Sequence, residues 1–109
     1  MLTYDKVRIN NLAWQVFYNT ADSIQVLSSD EIQSYYAMEI RKAARYRLFS
    51  MRTKHDYKTG RLVAFAVAYG DMVDDIRRDV FISAEASNSD IAELKYRCGA
   101  DFEEARVAA

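Results

Sequence analysis

The chain has 109 residues, half of them hydrophobic, and a formal net charge of −1 from 16 acidic and 15 basic side chains. This composition excludes a chain that is disordered throughout, and the length predicts one domain. The single cysteine excludes an internal disulfide and a multi-cysteine zinc site. No apolar run approaches the 18 residues of a membrane span, and the first fifteen residues lack the apolar core of a secretion signal. We therefore expect a cytoplasmic protein that does not enter a membrane.

The charges are segregated along the chain. Residues 41–61 contain eight Lys or Arg and one acid, whereas residues 71–104 contain ten acids and four bases. Such segregated charge indicates something about the partners or the self-association of the protein rather than about its fold.

The first predicted element is a helix over residues 9–26. Between Asn10 and Ser29 the only charged side chain is Asp22. A surface poor in charge is typical of a protein contact, although an ordinary solvated surface can also lack charges. We expect this side of the helix to form the contact of a homodimer, with candidate contact residues Asn11, Trp14, Gln15, Tyr18 and Asn19.

The second predicted helix begins in the sequence LSSDEI, residues 27–32. Ser28 and Glu31 have the spacing of a capping box, and the flanking Leu27 and Ile32 have that of a hydrophobic staple. The apolar stripe predicted for this helix consists of Ile32, Tyr36, Ile40, Ala43 and Ala44.

A basic surface is predicted on the other side of the same helix. Arg41, Arg45 and Arg52 fall on one helix side, flanked by Met38, Lys42 and Phe49. Basic side chains interleaved with exposed apolar ones suit phosphate contacts and base stacking, and they suit an acidic protein equally well. We expect a protein partner, with nucleic-acid binding through residues 41–61 and a solvated surface without a partner as the alternatives.

Residues 61–82, RLVAFAVAYGDMVDDIRRDVFI, are predicted to form the central helix. Eight apolar side chains fall within an arc of about 120° if each residue turns by about 100°, and the aspartates fall opposite. The rival interpretation is a strand, because bulky side chains alternate with alanines between Val63 and Tyr69. A last helix over residues 89–106 is capped by Ser87 or Ser89, with an apolar stripe of Ile91, Leu94, Cys98, Phe102 and Ala105.

These elements predict an all-α fold of four main helices in a compact two-layer bundle. The alternative is an α+β fold with one β-hairpin at about residues 46–69, closed by a connection over residues 54–61.

Candidate chemistry is sparse. His55 lies in a predicted loop without a fixed nucleophile beside it, and Cys98 lies in an apolar stripe, where cysteine acts as a small hydrophobe. Asp71 and Asp75 have the i, i+4 spacing that could hold a divalent cation, but a hydrolase would need more carboxylates from a facing helix. We therefore expect no catalytic residues, no metal and no cofactor.

The leading function is a small non-enzymatic binding or regulatory protein, of a kind that also suits a phage or mobile-element protein directed at a host target. A metal-dependent hydrolase that uses the Asp71 and Asp75 helix face is the less favoured alternative.

Overall fold

The computed structural model describes residues 21–94 and residue 96, apart from the side chain of Val73. In chain order the elements are β1 (Ser23–Leu27), α1 (Ile32–Ala43), β2 (Leu48–His55), β3 (Leu62–Gly70), a 3-10 turn (Val73–Asp75) and β4 (Arg77–Ser83). A second helix, α2, is described over residues 88–94. The fold is thus α+β, and the prediction of an all-α four-helix bundle is wrong.

The four strands form one mixed sheet in the order β1-β4-β3-β2. β1 is parallel to β4, whereas β4, β3 and β2 are joined by antiparallel pairing. The β2–β3 pair is the hairpin that the alternative prediction placed at about residues 46–69. Among the strands that the structure describes, β1 and β2 are the two edges, and α1 crosses from one edge to the other over β3 and β4.

All nine residues of β3 are buried, because both faces of the strand are covered. Phe65, Val67 and Tyr69 lie in the cluster on the α1 side of the sheet. The alternating alanines at 64, 66 and 68 lie in the cluster on the other side, together with Ile91 and Leu94 of α2. A strand buried on both faces shows no polar alternation, so its sequence resembles that of a core helix.

The prediction of a helix over residues 61–82 is therefore wrong, because this segment consists of two antiparallel strands and their connection. The chain reverses directly after Gly70. A Cβ atom at Gly70 would lie 3.0 Å from the Ile76 Cα and 3.0 Å from Asp75 Oδ1. The absence of a side chain lets the returning backbone pass close to the end of β3.

The reciprocal hydrogen bonds predicted between Ser28 and Glu31 are confirmed, although the regular helix begins only at Ile32, after a turn over residues 29–31. The Glu31 backbone N–H donates to Ser28 Oγ at 3.3 Å, and the Ser28 N–H donates to Glu31 Oε1 at 3.2 Å. Leu27 and Ile32 are buried in the same cluster, as expected of a hydrophobic staple. The end of the preceding predicted helix is wrong, because Ser23–Leu27 form β1; residues 9–20 lie outside the described part of the chain.

The start of α2 has the same pair of reciprocal hydrogen bonds between a serine and an acidic residue three positions later. The Asp90 backbone N–H donates to Ser87 Oγ at 3.1 Å, and the Ser87 N–H donates to Asp90 Oδ2 at 3.0 Å. Ser87 is therefore the cap, as one of the two predictions had it. Ile91 and Leu94 are buried as predicted, whereas Cys98, Phe102 and Ala105 lie outside the described residues. None of the described helices is long and apolar enough to cross a bilayer.

Candidate binding surface

The orientation of α1 decides which of its side chains are available for binding. Ile32 and Ala43 are buried against the sheet. Glu39 lies between them on the same stripe, seven residues after Ile32 and four before Ala43, which is the spacing of one helix face. Its Oε1 is buried and has no hydrogen-bond partner. Ile40, which the sequence pattern assigned to the buried stripe, is instead 37% exposed. The only acid of α1 therefore points inward.

The outer side of α1 and the following turn carry bases and no acid. Four basic side chains are exposed here, and we call them the basic surface: Arg41, Lys42, Arg45 and Arg47. Within residues 32–47 the sole carboxylate is Glu39, which is turned away from this surface. The guanidinium groups of Arg41, Arg45 and Arg47 form no ion pair with any residue that the structure describes. Their charges are thus open to solvent and to a partner.

Lys42 differs from the three arginines because it contacts the sheet. Its Nζ lies 5.2 Å from the centroid of the Tyr69 ring, which in turn packs against Tyr46 at 4.7 Å. A hydrogen bond with the Tyr69 side chain raises the pKa of Lys42. The ammonium group is therefore held at the border between the basic surface and the polar groups beneath α1.

A polar cluster lies beneath α1, centred on the buried Asp79 of β4. Its carboxylate accepts hydrogen bonds from Ser23 Oγ at 2.9 Å, from the Tyr69 hydroxyl at 3.4 Å and from Arg77 Nε at 3.1 Å. The hydrogen bond with Asp79 raises the pKa of Arg77. Three strands are thereby linked through one buried carboxylate, so the cluster fixes the sheet beneath α1.

Glu39 is the second carboxylate of this cluster. Burial raises its pKa, and the negative charge of Asp79 acts in the same direction, whereas Lys42 and Arg77 act against both. Sequence reasoning missed Glu39 and Asp79. The spacing of Glu39 from Ile32 and Ala43 was the available signal for the first, and the apolar run after Asp79 was the signal for the second.

A shallow depression of about 350 Å³ opens at the same end of α1. Lys42 and Arg77 line it, but so do Asp71 and Asp75. Because bases and acids are balanced in its wall, the depression does not select an anion. The depression therefore indicates less about the charge of a partner than the basic surface does.

The basic segment predicted as one helix side is divided in the structure. α1 ends at Ala43 and β2 begins at Leu48, so the prediction that Arg52 shares a helix side with Arg41 and Arg45 is wrong. Arg52 lies on the β2 face that points away from α1, and its Nη1 donates to the Met51 carbonyl at 3.0 Å. Phe49 lies on the opposite face of β2 and is 41% exposed.

Other bases of residues 41–61 already have acidic neighbours. Lys54 Nζ lies 2.7 Å from Glu93 Oε2 and 3.9 Å from Asp90 Oδ1, both on α2. Arg61 Nη2 lies 3.8 Å from Asp30 Oδ1. The unpaired part of the basic segment is therefore concentrated at the end of α1.

Hairpin register brings the acidic segment to that same end of the sheet. Leu48 pairs with Gly70, so the chain before β2 lies beside the chain after β3. The Arg47 backbone N–H donates to Asp71 Oδ1 at 3.3 Å. Asp71 and Asp75 lie in the β3–β4 connection, so the predicted acidic helix face does not exist. No three carboxylate, histidine or cysteine groups among the described residues are placed to hold a metal ion.

His55 ends β2 and is exposed. The charge-poor surface, comprising Asn11, Trp14, Gln15, Tyr18 and Asn19, lies outside the residues that the structure describes, as does Cys98.

Comparison with known proteins returned no family model, no curated protein and no solved structure that matches this chain.

Proposed function

We propose that this chain is a small non-enzymatic binding protein that contacts an acidic protein partner through the basic surface. One observation carries the proposal: the exposed side chains of residues 32–47 include four bases and no acid, because Glu39 is turned toward the sheet. Two exposed apolar side chains, Met38 and Phe49, accompany these bases. Arginine and methionine are enriched at protein interfaces, as are aromatic residues.

The basic surface also has a structural effect that needs no partner. Arg41 and Lys42 lie in the last turn of α1, where a cation interacts favourably with the unpaired carbonyl groups of the helix end. This effect accounts for two bases near Ala43. It does not account for Arg45 and Arg47, which follow the helix and have no ion pair with a described residue.

A protein partner is favoured over nucleic acid by the extent of the surface. The four bases lie within seven consecutive residues, 41–47, at the end of α1 and in the connection to β2. A nucleic-acid strand presents a phosphate about every 3.4 Å over a long track, so its binding sites are usually extended basic surfaces. Here Asp71 and Asp75 lie beyond Arg47 and end the run of positive charge. The proposal includes a cytoplasmic location, where the single cysteine would remain reduced.

The test is capture of partners from a lysate with and without nuclease treatment. Three tagged proteins are compared: the wild type, the double variant R41Q/R45Q and the matched control K58Q/R61Q. The control removes two bases at the opposite end of β2, about 26 Å away for a strand of eight residues.

We expect a partner that survives nuclease treatment and is retained by the wild type and by the control, but not by R41Q/R45Q. If R41Q/R45Q retains every captured protein, the basic surface is not the binding site. If nuclease removes everything that the wild type captures, the partner is nucleic acid and the proposal is wrong.

A further inference from the structure

Two exposed apolar side chains near the basic surface, Ile40 of α1 and Phe49 of β2, lie on neighbouring elements of the fold. Aromatic contacts fix the rotation of α1 over the sheet: the Tyr35 ring lies 6.0 Å from Phe81 on β4, and the Tyr36 ring lies 5.3 Å from Phe65 on β3. The side of α1 that carries Tyr36 thus faces away from β4. Ile40 is rotated by about 40° further in that direction, since four residues make slightly more than one turn. Because β2 follows β3 in the sheet, Ile40 lies on the β2 side of α1.

The other part of this apolar surface is the α1-facing side of β2. Met51 packs against the cluster on the α1 side of the sheet, and Phe49 shares its face because side chains two residues apart on a strand point the same way. α1 packs over β3 and β4, which leaves the start of β2 less covered. Phe49 is therefore 41% exposed and Ile40 37% exposed. We call the surface formed by Ile40, Ala44, Phe49 and Met51 the α1–β2 notch.

The charge around the notch specifies its partner. Arg41 lies in the last turn of α1, and Arg45 and Arg47 lie in the connection between α1 and β2. All three are exposed, and none forms an ion pair with a described residue. An apolar surface edged by unneutralised arginines is complementary to an acidic segment with a bulky apolar side chain.

We propose that the α1–β2 notch docks an acidic segment of the partner protein, with an apolar side chain seated between Ile40 and Phe49. Carboxylates of that segment face Arg41, Arg45 and Arg47. This inference rests on the proposed function and adds the chemistry of the partner. In such an interface the apolar anchor dominates the affinity, whereas the solvent-exposed ion pairs chiefly accelerate association.

Two synthetic peptides of 18 residues and identical composition serve as probes. Both contain glutamates and leucines; one places the leucines at i, i+3, i+4 and i+7 so that they share one helix side, and the other scatters them. Binding to the full chain is measured by fluorescence anisotropy at low salt. We expect the peptide with aligned leucines to bind at least about tenfold more tightly, because only that peptide presents an apolar anchor together with a continuous acidic side.

Substitutions in the notch locate the binding site. F49S and I40S should each weaken binding of the aligned peptide by about tenfold, which is the effect expected of a central apolar contact. Y57S is the matched control, because Tyr57 is 90% exposed and lies in the hairpin turn at the far end of β2. Circular dichroism of each variant confirms that the fold is intact, and the Ile40 methyl resonance of the wild type provides a second readout that needs no substitution.

The outcomes separate this inference from the proposed function. Equal affinity for the two peptides, or an Ile40 methyl resonance that the aligned peptide does not shift, would overturn docking in the notch. If R41Q/R45Q weakens both peptides while F49S has no effect, the basic surface binds acids but the notch does not dock them. The proposed function then stands and only the notch is lost.

Discussion

Replacing Glu39 with methionine should stabilise the protein at neutral pH. Methionine has a similar length but no charge, so it fills the same space between α1 and the sheet. A buried acceptor without a partner costs about 1–3 kcal/mol. Glu39 Oε1 is such an acceptor, but the carboxylate is only partly buried and is attracted by Lys42 and Arg77. We therefore expect the low end of that range, about 1 kcal/mol, or roughly 4 °C in Tm for a domain of this size.

The raised pKa of Glu39 determines how the stability difference between E39M and the wild type changes with pH. The pKa of Glu39 is raised above its usual value of 4.5. The folded state therefore holds this proton more tightly than the unfolded state does, and the contribution of Glu39 to the free energy of unfolding falls as pH rises from 4.5 through the folded pKa. E39M lacks this proton. The advantage of E39M over the wild type should thus be small at pH 4 and largest at pH 7.

Urea denaturation of both proteins at several pH values between 4 and 8 measures this difference. E31Q is a useful contrast, because hydrogen bonds from the Ser28 side chain and backbone lower the pKa of Glu31. Its ionised form contributes stability that is present above its unfolded pKa and is lost as pH falls through the folded value. The cost of E31Q should therefore shrink toward acid pH. An E39M variant that is clearly less stable than the wild type at pH 7 would show that Glu39 is stabilised by Lys42 and Arg77 rather than penalised by burial.

Three further predictions concern the sheet and the assembly. D79N should lower the free energy of unfolding by about 2 kcal/mol, measured by urea denaturation, because a buried charged acceptor of three hydrogen bonds becomes an amide; no loss would mean that the cluster does not hold the strands. G70A should cost about 1–3 kcal/mol in the same assay, since the new Cβ would lie 3.0 Å from the Ile76 Cα; wild-type stability would mean that the connection shifts freely. Sedimentation should show a homodimer at micromolar concentration through the charge-poor surface, and a single 12.6 kDa species at high concentration would exclude it.

Local signals in the sequence predicted local structure correctly. The pairs Ser28–Glu31 and Ser87–Asp90 are three residues apart, so their reciprocal hydrogen bonds depend on little beyond their own turn. The hydrogen-bonded turns that lead into both helices could be predicted for this reason.

The strands could not be assigned reliably because their burial is set by distant residues. In β3 the alanines are covered by Ile91 and Leu94 of α2, and the bulky side chains are covered by α1. Since both faces are buried, apolar residues fall on every helix side as well as on both strand faces. Residues 62–69 therefore match a helix and a strand about equally well.

The inward orientation of Glu39 and the division of the basic segment could not be predicted for a related reason. Apolarity favours Ile40 over Glu39 for the buried stripe, yet the aromatic contacts of Tyr35 and Tyr36 orient α1 so that Glu39 faces the sheet. The separation of Arg52 from Arg41 likewise follows from where α1 ends. Neither the rotation of a helix nor the register of a hairpin is contained in periodicity alone.

The association rate of the nuclease-resistant partner tests the central claim most directly. The rate is measured for the wild type, R41Q/R45Q and K58Q/R61Q at low and at physiological salt. Exposed arginines steer an acidic partner electrostatically, so R41Q/R45Q should associate more slowly than the wild type and show a weaker dependence on salt. K58Q/R61Q should behave like the wild type. Equal association rates and equal salt dependence for all three proteins would contradict the assignment of binding to the basic surface.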